Sequence, residues 1–236
     1  MYSSTSVPPP PPEAARHHVP AAPPRGALVA GAGLLLGCLV AGLLLAGGGV
    51  PFFQGVDDRW AAWVVGSPHG AAAAVATLLD RLGGPLGTVL PLGLIGCLCV
   101  YGRWRSALFV FSAAIAANLL VVLPLKHLVD RPRPPHPWVL VNDGSFPSGQ
   151  VFSAVTLVIA AGVVLFPPRA RRWCWLPGGA YVLAMMWSRT WLHAQWLSDT
   201  FAGALAGAGT CLLLWRLFAR LLETEAERAA ANSLWL

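Results

Sequence analysis

Residues 106–137 read SALFVFSAAIAANLLVVLPLKHLVDRPRPPHP. The stretch from Ser106 to Leu125 carries no charge, and Lys126, Asp130, Arg131 and Arg133 then follow in close succession. An uncharged run of about 20 residues matches the thickness of a bilayer core. It must be helical, because lipid offers no partner to an unpaired backbone group. Pro132, Pro134, Pro135 and Pro137 fix their own backbone angles and stiffen the segment beyond. The pattern predicts a membrane span ending in a rigid basic loop.

Five more apolar runs flank this one, at 26–50, 83–101, 149–166, 173–187 and 196–217. The expected fold is therefore all-α, a six-span integral-membrane helical bundle over residues 26–217. Residues 1–25, with the proline run Pro8 to Pro12, read as a disordered cytoplasmic tail that favours extended polyproline II. Residues 218–236 read as a charged cytoplasmic C-terminal tail. The stretch 51–81 mixes Asp57, Asp58, Arg59, Asp80 and Arg81 with Trp60 and Trp63, which suits one or two interfacial helices.

Composition agrees. Of 236 residues, 56% are hydrophobic and 11% charged, whereas soluble domains carry about 25% charged residues. The mean hydropathy of +0.62 excludes a disordered chain as a whole. The net charge of +6 does not indicate nucleic acid, because the basic residues sit in short clusters between apolar runs. Lys126 is the sole lysine. Cys38, Cys97, Cys99, Cys174 and Cys211 lie in or beside apolar runs and read as small hydrophobes. Gly203 and Gly207 form a G-x-x-x-G pattern for close helix packing, within one chain by default or across a homodimer as the alternative.

Loop charge orients the chain. With the N-terminus inside, Arg16 and Arg25, Arg103 and Arg105, and the Arg169/Arg171/Arg172 cluster all fall on the inner side, as the positive-inside rule requires. Loops 126–148 and 188–196 then face outward and hold most of the remaining polar chemistry. The arginine- and alanine-rich composition suits a bacterial plasma membrane protein.

The outward loops contain Lys126, Arg133 and Arg189, with Ser148 and Gly149 at a predicted helix start. Free N–H groups at a helix start attract an anion. Arginine adds a planar fork for phosphate oxygens, and lysine a point charge. This pattern predicts an outward phosphate-binding site; the alternative is that the cations are anchors reaching lipid headgroups.

These residues resemble the phosphatidic acid phosphatase type 2, or lipid phosphate phosphatase, family. Lys126 to Pro134 is similar to its K-x6-R-P motif, Pro147 to Gln150 to its P-S-G-H motif, and Ser188 to Asp199 to its S-R-x5-H-x3-D motif. The resemblance implies a helical core shared with soluble vanadium haloperoxidases, and metal-free hydrolysis of lipid phosphates without a cofactor. It implies that Lys126, Arg133, Ser148, Gly149 and Arg189 bind phosphate. It assigns position 150 to the general acid, position 195 to the nucleophile, and Asp199 to orienting that nucleophile from four residues on.

Both histidine positions are glutamine here, Gln150 and Gln195. An amide hydrogen-bonds but neither titrates near neutral pH nor serves as a good nucleophile. The leading reading is a protein that binds a phosphatidate- or polyprenyl-phosphate-like lipid through an outward cradle. The second is an active phosphatase using another nucleophile such as His193, with His127 or His136 as acid. The third is a structural partner of other membrane proteins.

Overall fold

The computed structural model describes residues 22–47, 50–64, 69–84, 86–141 and 143–233. The proline run and His17 and His18 lie outside the described residues. All regular structure among the described residues is helical, in the order α1 (Ala27–Ala46), α2 (Gln54–Val64), α3 (Ala71–Gly83), α4 (Val89–Val100), α5 (Trp104–Phe111), α6 (Leu123–Val129), α7 (Gly149–Leu165), α8 (Arg171–Trp191) and α9 (Leu197–Ser233).

Each of the six apolar runs forms a helix. Ala27–Ala46, Trp104–Val129 and Leu197–Arg228 are individually long and apolar enough to cross a membrane, while α4 and α7 are shorter apolar helices. The protein is an integral membrane protein. The mixed stretch 51–81 forms α2 and α3, the two short helices expected there. The last apolar run does not stop near residue 217: α9 continues unbroken through the charged segment to Ser233.

Helix α7 is central. It packs against α8 and α9 and touches α3 and α5, while α1 lies along α9. Gly203 of α9 sits so close to α7 that a Cβ there would come within 2.4 Å of the Ser148 carbonyl oxygen. The Gly203–Gly207 stripe is thus used inside the chain, against α7. Residues Phe109, Val110, Ala160, Val163 and Cys211 form one apolar core, and Val122, Phe146, Phe152 and Ala206 another, nearer the polar loops.

Helices α5 and α6 are joined through two π-helical turns, Ser112–Ala116 and Asn118–Val122, into one continuous rod. Such wide turns insert a residue and re-aim side chains. Here Asn118 donates from Nδ2 to Ser153 Oγ on α7 at 2.7 Å. The rod runs one turn past the expected end at Leu125, so that Lys126 lies on the helix and the loop begins at Asp130. Asp130 adopts a left-handed conformation (φ 40°), and the prolines beyond it lack the N–H groups a helix needs.

Candidate functional site

The loops after α6 and α8 meet the start of α7. Lys126 lies in the last turn of α6, Arg133 in the proline-rich loop and Arg189 in the last turn of α8. Ser148 caps α7, its side chain accepting from Val151 N at 3.3 Å. A cleft of about 550 Å³ collects these segments. Lys126, Arg133, Arg189, Gly149, Gln150 and Gln195 line its polar end, and Ala114, Ile115, Leu119, Val122 and Leu123 an apolar wall. Gly149 opens α7, where the first N–H groups of a helix have no helical acceptor.

Backbone carbonyls aim the cations. Lys126 Nζ donates to Gly144 O at 2.6 Å. Arg133 donates from Nε to Asp143 O at 2.9 Å and from Nη1 to Ala194 O. Each cation also meets a carboxylate. Asp143 sits 3.0 Å from Lys126 Nζ and 2.6 Å from Arg133 Nη2, and Asp80 pairs with Arg189. Burial alone would raise the Asp143 carboxyl, but Lys126 and Arg133 outweigh it and hold it below its ordinary range.

The two glutamines are bound into the site. Gln195 is buried; its Oε1 accepts from Ser148 Oγ at 2.5 Å and Arg189 Nε at 3.4 Å, and its Nε2 donates to Ser145 O at 3.1 Å. Gln150 donates from Nε2 to Asp80 Oδ1 at 3.1 Å.

Asp199 does not turn toward residue 195 as a shared helix face would require. Helix α9 begins at Leu197, so Gln195 lies in the preceding turn and the four-residue helical spacing does not apply. The Asp199 carboxylate instead takes Arg131 Nη1 at 2.5 Å, Trp196 N at 3.0 Å and Ser145 Oγ. Arg131 also reaches Asp57 of α2 at 2.8 Å, and Ser198 Oγ donates to the same Asp57 oxygen at 2.5 Å. The Arg131 guanidinium lies over the rings of Phe53 and Trp196.

His193 occupies a turn, not a helix, with φ at 50°. Its ring nonetheless avoids the cleft: Nδ1 meets Pro135 O at 3.2 Å, and the ring stacks on Trp138. His127 and His136 are exposed. None of these three histidines lines the cleft.

The structure brings Lys126, Arg133, Arg189, Gln150 and Gln195 to one cleft, and sequence reasoning does not connect Asp57, Asp80, Arg131 and Asp143 to it. The signal for Asp57 and Asp80 was their presence as acids in an otherwise apolar chain. The cleft thus brings together three cations, the two carboxylates that pair with them and two amides, with apolar side chains also lining it.

The PAP2 superfamily model matches residues 107–223. No curated protein sequence matches the chain. Among solved structures, the chain is similar to a transmembrane PAP2-type phosphatidylglycerolphosphate phosphatase from Bacillus subtilis. The TM-score is 0.59 at 19% identity, covering 82% of this chain and 96% of that one.

Proposed function

We propose that this chain, which belongs to the PAP2 superfamily through residues 107–223, binds the phosphate group of a membrane lipid without hydrolysing it by the family's histidine route. The observation that carries this reading is one cleft lined by Lys126, Arg133 and Arg189 at one end and by apolar side chains along its wall. Phosphate oxygens would take the charged donors, with Gly149 at the start of α7 adding backbone N–H character. The lipid chain would lie along the apolar wall.

The histidine route needs a nucleophile and a proton donor at the cleft. Gln195 and Gln150 hold those positions and are engaged as amides. His193 is tied to Pro135 and Trp138, which weighs against its serving as the nucleophile. We place the site on the outer face of a bacterial plasma membrane with both termini in the cytoplasm, on the strength of the arginine-rich inner loops. A homodimer finds no support in the Gly203–Gly207 stripe, which α7 already covers.

The test is phosphate release and lipid binding by the purified protein in detergent. Phosphatidate, a polyprenyl diphosphate and phosphatidylglycerolphosphate, the lipid named for the Bacillus neighbour, serve as probes. The expected result is saturable binding without release. The Arg189→Ala variant should bind about 10- to 100-fold more weakly, the worth of a charge-assisted hydrogen bond. Release that disappears with Arg189→Ala would establish hydrolysis by another nucleophile, and unchanged affinity would remove Arg189 from the site.

A further inference from the structure

All three cations that face the cleft are already paired, but the two carboxylates that pair them are held differently. Asp80 belongs to α3, its side chain is 20% exposed, and it receives both Arg189 and the Gln150 amide. Asp143 belongs to no helix, and its side chain is 47% exposed. Its two oxygens straddle two cations, Oδ2 on Lys126 and Oδ1 on Arg133. This is the bridging contact that two oxygens of a phosphate would make.

Neither cation depends on that carboxylate for its aim. Lys126 keeps Gly144 O, and Arg133 keeps the backbone oxygens of Asp143 and Ala194. Withdrawal of the Asp143 side chain would leave both donors pointing where they point now. Asp143 is half-exposed, so water can take over for its carboxylate, while the backbone oxygens keep solvating the more buried Lys126 and Arg133.

Resting on the phosphate-binding reading above, we propose that the Asp143 side chain is a resident anion that occupies the Lys126–Arg133 seat and is exchanged for the incoming lipid phosphate. The carboxylate keeps two like charges from facing each other across an empty cleft. It moves to solvent when a ligand with more charge and more acceptor oxygens arrives. Asp80, with two donors on it, stays and holds Arg189 in place. Affinity is then the difference between two anions for one seat.

The experiment measures phosphatidate binding to the full chain in mixed micelles, with inorganic phosphate as competitor. It compares the wild type with Asp143→Asn, Asp143→Glu, Asp80→Asn and Arg189→Ala, each checked for a cooperative melting transition. Asp143→Asn should bind about 3- to 5-fold more tightly, the worth of a weak ion pair with one solvent-open partner. Asp143→Glu should bind like wild type, and Asp80→Asn should gain less than Asp143→Asn. Equal gains in the Asp143→Asn and Asp80→Asn variants would reduce the effect to general charge and overturn the exchange. Unchanged or weaker binding by Asp143→Asn, with binding still lost in Arg189→Ala, would overturn the exchange and leave the phosphate site standing. No binding by any variant would overturn both.

Discussion

Two arginines at the polar end of this molecule do opposite things with the same partner chemistry. Arg131 lies between Asp57 and Asp199, with side-chain exposures of 5%, 1% and 0%. Arg133, two residues on, has 12% of its side chain exposed and pairs with Asp143 at 47%. The first group closes α2 onto the start of α9, and water cannot take over for either partner. In the second the acid stands at the rim, where water can take over for it. An ion pair sealed from solvent is a joint, because breaking it strands a buried charge. An ion pair whose acid is open to solvent is a latch, because that acid has water to go to. The step from joint to latch spans one proline in the chain.

The largest test of this contrast is Arg131→Ala. It leaves Asp57 and Asp199 buried without their cation, and removing one partner of a buried pair costs about 3–5 kcal/mol. Unfolding in detergent, followed by helix signal against denaturant, should shift by that amount or yield no folded protein. A shift below about 1 kcal/mol would put Arg131 in the class of exposed pairs and erase the contrast.

Next in size is restoration of both histidines, Gln150→His with Gln195→His. Phosphate release from phosphatidate should rise by about 100-fold or more, the usual contribution of positioned acid–base groups. Here the joint matters, because the Asp199 carboxylate is held by Arg131 and would have to turn from it to meet a residue-195 ring. A folded double variant without any gain would mean that Asp199 is too firmly held to serve an imidazole.

The smallest effect is a pH dependence of the latch. The Asp143 carboxyl is held below its ordinary range by Lys126 and Arg133 against the opposing pull of burial. Its contribution to stability is therefore present above the unfolded carboxyl's pKa and lost as pH falls through the lower folded value. The charged groups around it are Lys126, Arg133 and, on α8, Arg189. Melting curves of wild type and Asp143→Asn should differ at neutral pH by at most about 3 °C. They should begin to converge as the pH of the medium falls below the ordinary carboxylate value of about 4 and coincide once it lies below the lower folded value. A difference that persists in strong acid would show that the side chain does something other than carry charge.

The sequence made the helices and the cations legible, but not their acidic partners. Uncharged runs of membrane length declare themselves, and so do Lys126, Arg133 and Arg189 in short motifs between them. Asp57 and Asp80 stand in a mixed stretch without a strong period, and each finds its partner more than 70 residues away. Nothing local to either residue encodes that distance. The expected Asp199–residue 195 contact failed for a narrower reason. It assumed one helix face, and the helix starts two residues too late for both to share it.

Helix α9 has 37 residues, so at 1.5 Å per residue it is about 55 Å long, well beyond the roughly 30 Å of a bilayer core. Asp199 sits at one end, inside the joint. Toward the other end the Glu225 carboxylate accepts from Arg105 N at 2.7 Å and Ser106 N at 3.3 Å, filling the open amides where α5 begins. One strut therefore ties the rim of the cleft to the opposite mouth of the bundle. A chain cut after Leu217 would keep every residue that lines the cleft, yet lose the brace that seats the rod bearing Lys126.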